Sequence, residues 1–241
     1  MRVWVTRSEP GASRTAAHLA TAGHQPLVVP VVAIQALAVE PKSLGQQTGP
    51  ISDVIFLSEH AVVPGVELMQ RAGIKLGGLR AFAIGPQTAA CLTALGVQPI
   101  VPAVASSEGL LACSELVALS NRTLAIFAGE GGRERLREGL EQRGGSVVRC
   151  PLYRRVPVPV DEVRAALEPA VIEAIAVSSG DGFRWAAQVW FAARGRPRVP
   201  VLTPSQRVSD MAHGLGFAQA YTCEGAGAEA LLAGLAKVTG T

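Results

Sequence analysis

The residues of this chain that could do chemistry are hydroxyls, glycines and a few arginines, placed at the ends of apolar segments. Arg7 and Ser8 follow Val3-Trp4-Val5, and Ser58 follows residues 53–57. Gly85-Pro86-Gln87-Thr88 follows residues 79–84, and Ser106-Ser107 comes shortly after residues 98–101. A glycine-rich turn holding Gly129, Gly131, Gly132 and Arg133 follows residues 123–127; Ser178-Ser179 follows residues 174–177 and Ser205 follows residues 199–202. If each apolar segment is a strand of a parallel α/β sheet, these residues sit at C-terminal strand ends, where helix N-termini offer unpaired N–H groups. Such groups hold carboxylates or phosphates by hydrogen bonds and are poor at proton transfer. Ordinary N-capping accounts for any one of the serines. Several strand ends of the same type point instead to a shared anion-binding cleft.

A nucleophile-and-base arrangement is missing from the sequence. His18, His24, His60 and His213 lie in different segments; only His60, two residues after Ser58, is a candidate to line a cleft. No metal-ligand spacing is present, so neither a metal nor a cofactor is expected. The turn at residues 129–133 lacks both the dinucleotide fingerprint and the Gly-Lys-Ser/Thr of a phosphate loop, and a tight strand-to-helix turn explains it equally well. Tyr153 stands apart. It follows Pro151 in an extended segment, where its phenol is either a half-buried group with a backbone partner or an O–H available at a cleft.

The bulk composition narrows the classes. A net charge of +3 without a basic block argues against nucleic acid and suits an acidic small molecule. Cys91, Cys113, Cys150 and Cys223 are far apart, which fits reduced thiols in a cytoplasmic protein. The N-terminus has no apolar signal core, and the longest apolar run, residues 27–34, contains Pro30 and is too short for a bilayer. No membrane association is expected, and the protein is expected to act as a monomer.

The elements that must position these residues alternate along the chain. Strands are predicted over residues 3–5, 27–34, 53–57, 79–84, 98–101, 123–127, 146–152, 174–177, 199–202 and 220–222, with helices between them. Pro30 and Pro151 imply edge strands or the end of regular pairing. The helix after Ser106-Ser107 is expected to run to about Leu119, and Phe183, Trp185 and Trp190 on a later helix read as core packing. The alternation predicts parallel sheets covered on both faces.

An internal repeat organises the whole. Glu9, Gly11, Arg14, Gly23 and Pro30 match Glu130, Gly132, Arg135, Gly144 and Pro151, each 121 positions on, and Glu108 matches Glu229 at the same offset. The fold class is therefore α/β with two similar parallel-sheet domains, an internal duplication, joined by a two-stranded linker. Residues 1–35 plus 155–241 form a discontinuous first domain and residues 39–152 an inserted second one. Residues 31–39 and 152–160 are the linkers, with a cleft beside them and hinge motion between open and closed states expected.

With these motifs in hand, the sequence resembles the uroporphyrinogen-III synthase family over nearly its whole length. VTRSEPGASR looks like the family's strand-turn opening, DVIFLSEHAV is similar to its "IFTSxxAV" segment, and AIGPQTAACLTALG to its "xxGxxTaxxLxxxG" segment. SSEGLL, AGEGGRERL and Tyr153-Arg154-Arg155 follow in the family's order. Three positions depart from it. Leu57 stands where Thr is frequent, Ser178-Ser179 replaces a common Thr-Ser, and Ala128 replaces a frequent Arg, which either removes one carboxylate partner or leaves Arg133 to serve.

The resemblance implies a cyclising lyase of tetrapyrrole biosynthesis. Its substrate would be hydroxymethylbilane, a linear tetrapyrrole with eight carboxylates. Loss of the hydroxyl gives an azafulvene. Ring D attacks through its substituted carbon, and the spiro intermediate reopens and closes with that ring inverted. The bilane closes unaided to the wrong isomer, so the enzyme mainly folds it and favours one closure. Tyr153 is the implied assistant in departure of the hydroxyl as water. Arg7, Ser58, Gly85, Thr88, Ser106, Ser107, Gly132, Arg133, Ser178, Ser179 and Ser205 are the candidate substrate contacts. Two other readings remain open at this level: a non-enzymatic clamshell binding protein for a polyanionic small molecule, and a nucleotide- or phosphosugar-handling transferase. The second would need a phosphate loop or metal-binding carboxylates that the sequence lacks.

Overall fold

A computed structural model of the chain describes residues 1–44, 49–131 and 134–240. It falls into two compact units, one comprising Met1–Ala33 with Val156–Thr241, the other Ile34–Arg155. In chain order the strands are β1 (Arg2–Val5), β2 (Gln25–Val28), β3 (Val32–Ala36), β4 (Ile51–Phe56), β5 (Arg80–Ala83), β6 (Thr123–Gly129), β7 (Ser146–Pro157), β8 (Ala174–Ala176), β9 (Val201–Thr203) and β10 (Ala220–Thr222). The helices are α1 (Gly11–Thr21), α2 (Val62–Arg71), α3 (Pro86–Ala94), α4 (Ser107–Leu111), α5 (Arg135–Gln142), α6 (Val160–Ala165), α7 (Gly180–Ala192), α8 (Gln206–Ser209) and α9 (Ala228–Thr239). Among the described residues no helix is long and apolar enough to cross a membrane.

In the first unit the strands lie in the order β10-β9-β8-β1-β2, every neighbouring pair parallel. Side-chain alternation sends Val3 and Val5 to one face, with Leu19 and Leu235, and Trp4 to the other, with Ile175, Phe183 and Trp190. Both faces are thus apolar, as a parallel sheet between helices requires. Trp4 stacks on Trp190 at 6.1 Å, and each indole N–H finds a carbonyl, of Val29 at 2.8 Å and Arg196 at 3.0 Å. The aromatic residues of α7 are core, as their spacing indicates.

The second sheet has the order β3-β7-β6-β4-β5, with the four strands from β7 to β5 parallel. Val54, Phe56, Ala125 and Phe127 face α2, while Ile55, Phe82, Leu124 and Ile126 face Leu110 of α4 and Leu136 and Leu140 of α5. At the N-terminal end of this sheet Asp53, fully buried, accepts from Arg80 at 2.8 Å, Arg122 at 2.6 Å and Ser52 at 2.7 Å. Two guanidiniums and a hydroxyl on one carboxylate satisfy a charge that burial alone would not tolerate.

Several sequence expectations change. Residues 27–34 are not one strand; Pro30 divides them into β2 and β3. Pro151, by contrast, ends nothing. β7 runs through it for 12 residues between β6 and β3, and the ladder absorbs the missing N–H with a register shift, Ala128 pairing Pro151 and Gly129 pairing Tyr153. Residues 98–101 contribute only a bridge between Phe82 and Ile100, because Pro99 and Pro102 remove the donors on either side. The helix after Ser106 also stops at Leu111 rather than near Leu119, giving way to a short helical turn at Ser114–Leu116.

Candidate functional site

The side chain with most to offer is the phenol of Tyr153, and its neighbours in the second unit determine where it points. The register shift beside Pro151 sets Tyr153 opposite Gly129, the last residue of β6. Tyr153 is only 3% exposed, and the space for its ring exists because Gly129 has no side chain. A Cβ there would lie 2.8 Å from two ring carbons and 3.1 Å from the phenol oxygen. His60, just beyond β4, meets the ring edge-on with centroids 5.5 Å apart. The Arg155 guanidinium lies 5.7 Å from the ring centroid and donates a long hydrogen bond to the phenol oxygen at 3.4 Å. Ser58, which follows β4, completes the surroundings with Oγ 2.8 Å from the phenol oxygen.

The structure therefore brings two sequence-predicted residues, Ser58 and Tyr153, into one hydrogen bond across 95 positions of sequence. Gly129, His60 and Arg155 belong with them. Of these, His60 and Gly129 are cleft candidates on sequence grounds; the close approach of Gly129 to the phenol ring follows from the cross-strand register, which sequence spacing does not reveal. The following turn is held by Arg149, which donates to the Gly131 carbonyl and pairs with Glu134. Hydrogen bonding from Arg137, with the nearby charge of Arg149, holds the Glu134 carboxyl below the usual range. Gly132 and Arg133 lie outside the described residues.

The other candidates in the second unit sit at two further turns. Gly85 has extended backbone ahead of α3, a conformation open to any residue, and its constraint is proximity: an added Cβ would stand 3.2 Å from the Cβ of Ala105. The Gly85 turn and the loop leading to Ser106 are thereby adjacent. Ser106 caps α4, accepting from the Gly109 N–H at 3.0 Å, and Ser107 is the first helical residue. Thr88 lies on the buried side of α3 and is 4% exposed, so little of its side chain is open to a ligand.

In the first unit Ser179 caps α7, accepting from the Gly182 N–H at 3.1 Å, with Ser178 partly exposed beside it. Ser205 precedes α8 in extended backbone without a side-chain cap bond. Arg7, after β1, donates to the Ala226 carbonyl at 3.1 Å and to the Thr15 hydroxyl at 3.4 Å, tying the β1–α1 turn to the segment ahead of α9. The turns thus expose backbone N–H groups and hydroxyls, with a cation at hand, a chemistry suited to carboxylates.

Comparison with known proteins supplies independent findings. The family model described as uroporphyrinogen-III synthase HemD matches residues 13–233. The uroporphyrinogen-III synthase of Escherichia coli (strain K12) is 29% identical over 250 residues, covering 98% of this chain and all of that protein. Its counterpart in Proteus mirabilis is 32% identical over 164 residues, covering 65% of this chain and 81% of that protein. Among solved structures, the uroporphyrinogen-III synthetase of Helicobacter pylori superposes with a TM-score of 0.65 at 14% identity, covering 98% of each chain. A mutant uroporphyrinogen III synthase from the extreme thermophile Thermus thermophilus gives 0.59 at 19% identity, covering 99% of this chain and 98% of that one. At these identities the superpositions speak for the fold.

Proposed function

The chain belongs to the uroporphyrinogen-III synthase family, and on that footing we propose which of its residues carry the reaction. The enzyme cyclises hydroxymethylbilane to uroporphyrinogen III, a lyase step of tetrapyrrole biosynthesis. Tyr153 assists departure of the terminal hydroxyl as water. The azafulvene that remains is attacked by ring D through its substituted carbon, and the spiro intermediate reopens and closes with ring D inverted. Gly85, Ser106, Ser107, Gly132 and Arg133 in the second unit, and Arg7, Ser178, Ser179 and Ser205 in the first, act as partners for the substrate carboxylates, and Ser58 meets the substrate beside the phenol of Tyr153. Thr88 shapes the α3 turn from its buried face.

The observation that carries the assignment is the phenol of Tyr153, buried yet hydrogen-bonded to a partly exposed hydroxyl at a strand end. A buried phenol needs a hydrogen-bond partner, and here that partner is a hydroxyl itself partly open to solvent. The catalytic demand on it is modest. The bilane loses its hydroxyl and closes without help, so the protein's task is to orient the chain of pyrroles and ease one departure.

We further infer that the two units descend from one duplicated α/β half, with residues 31–39 and 152–160 as paired linkers. The strand orders support this, since β2-β1-β8-β9 matches β7-β6-β4-β5 and the corresponding residues Val54 and Ile175 differ by 121 positions. The protein acts in the cytoplasm as a monomer, without nucleic acid. The test of the site is Tyr153→Phe. The variant is expected to fold as the parent, to keep its KM and to lose roughly 10- to 100-fold in kcat, within or below the usual contribution of a positioned acid. Unchanged turnover removes Tyr153 from the chemistry.

A further inference from the structure

Four serines of this chain stand in one backbone setting, extended and immediately ahead of a helical turn. They are Ser58 (φ −167°, ψ 158°), Ser106 (−151°, 167°), Ser179 (−159°, 163°) and Ser205 (−167°, 160°). Ser106 and Ser179 do what serine does there and accept a hydrogen bond from the backbone N–H three residues on. Ser58 and Ser205 make no cap bond, and of the two it is Ser58 whose hydroxyl turns to a side chain, the phenol of Tyr153 at 2.8 Å. A cap bond contributes measurably to helix stability, so the diversion gives up local stability.

The Arg155 contact leaves the tyrosine's proton available to Ser58, the direction the relay below uses. A guanidinium has donors only, so in its contact with the phenol oxygen the tyrosine accepts. The tyrosine's single proton is then free for its other partner, Ser58 Oγ, which leaves Ser58 with a proton of its own to present outward. Burial agrees with that order: Tyr153 is 3% exposed, whereas Ser58 is partly open.

Resting on the reading that Tyr153 serves the dehydration, we propose that Ser58 is the catalytic residue that hands the proton to the departing hydroxyl, and that Tyr153 acts behind it as the proton's source. The carbon–oxygen bond of the hydroxymethyl group breaks with its electron pair on oxygen. That oxygen takes the Ser58 proton and leaves as water. Ser58 takes the proton of Tyr153, and the Arg155 guanidinium faces the resulting phenolate. When the final ring closure expels a proton from the pyrrole carbon that receives the new bond, the proton returns through Ser58 to the phenolate. The sum is loss of one water with the enzyme restored. Gly129 and the edge of His60 fix the ring, which keeps the two oxygens aligned.

The test is a double-mutant cycle on the purified enzyme with hydroxymethylbilane, using Ser58→Ala, Tyr153→Phe, the pair together, and Ser58→Thr. In a relay the two groups act as one, so each single variant loses a similar factor in kcat, roughly 10- to 100-fold. The pair loses no more than Ser58→Ala alone, KM holds throughout, and Ser58→Thr, which keeps the hydroxyl, restores most of the turnover. Should Ser58→Ala unfold, Ser58→Gly replaces it, because glycine is tolerated at this helix-start position. A Ser58→Ala enzyme with parental kcat overturns the relay, and if Tyr153→Phe is still impaired the tyrosine acts directly and the reading above survives. Factors that multiply in the pair, or a Ser58→Ala change confined to KM, overturn it in favour of independent or carboxylate-binding roles. Loss in Ser58→Ala with none in Tyr153→Phe overturns both the relay and the tyrosine's part in the chemistry.

Discussion

Replacing Gly129 by alanine perturbs the site without touching any polar group. Gly129 does not use the left-handed backbone region, so alanine fits the local chain. The conflict is with the ring of Tyr153, two of whose carbons would lie 2.8 Å from the new methyl. Carbon atoms rest at about 3.5 Å or more, so the ring has to give by roughly 0.7 Å. A displacement of that size takes the phenol oxygen out of its aligned 2.8 Å contact with Ser58, on which useful hydrogen bonding depends. The ring has little freedom to do otherwise, with His60 at its edge and Arg155 beside it. Overpacking of this kind costs about 1–3 kcal/mol, and a misplacement near 1 Å costs up to roughly 100-fold in rate. Gly129→Ala is therefore expected to lower Tm by several degrees and kcat by about 10- to 100-fold, read by calorimetry and by initial rates with hydroxymethylbilane. Gly65→Ala is the comparator: its methyl would crowd Phe56 at 2.9 Å and Phe127 at 3.1 Å in the core, so Tm falls while kcat holds. Parental kcat and Tm in Gly129→Ala would refute the claim that this close approach positions the phenol.

Asp53→Ala leaves Arg80 and Arg122 facing each other without their carboxylate, and breaking a buried pair costs about 3–5 kcal/mol; with the arginines 33% and 24% exposed, the lower part of that range is expected in urea unfolding, with KM unchanged in the folded fraction. Cys150 lies in the core, and burial pushes its thiol up to about 12 from 9.0. The native protein should therefore leave Cys150 unmodified by iodoacetamide at about pH 8, and mass spectrometry should find it alkylated only after unfolding. The same shift has a pH consequence. Below pH 9.0 the thiol is neutral in both states and its contribution is fully present; from 9.0 to about 12 only the unfolded chain ionises, so stability falls by up to about 1.4 kcal/mol per pH unit, measurable as a drop in the urea midpoint.

The alternation of strand and helix, and the faces of the strands, are legible in the sequence because local chemistry decides them. Val3-Trp4-Val5 has only one way to divide its side chains between two cores. Proline is less simply read. Pro30 breaks its strand, but Pro151 does not, because a register shift in the neighbouring strand accommodates the lost donor, and that depends on β6, more than 20 residues earlier. The candidate site is half legible for the same reason. Hydroxyls at strand ends follow from local pattern, and Ser106 and Ser179 behave as such residues ordinarily do. The partnership of Ser58 with Tyr153 joins positions 95 apart, and Asp53 meets its arginines 27 and 69 positions away. No local signal marks Ser58 as the serine whose hydroxyl leaves the helix start for a phenol.

The isomer of the product decides the reaction itself. Purified protein is supplied with hydroxymethylbilane, the product is oxidised to the porphyrin, and the isomer is identified chromatographically. Predominantly type III, formed faster than the substrate closes alone, is predicted. Type I alone, at the uncatalysed rate, would contradict the assignment of this fold and this tyrosine to ring inversion.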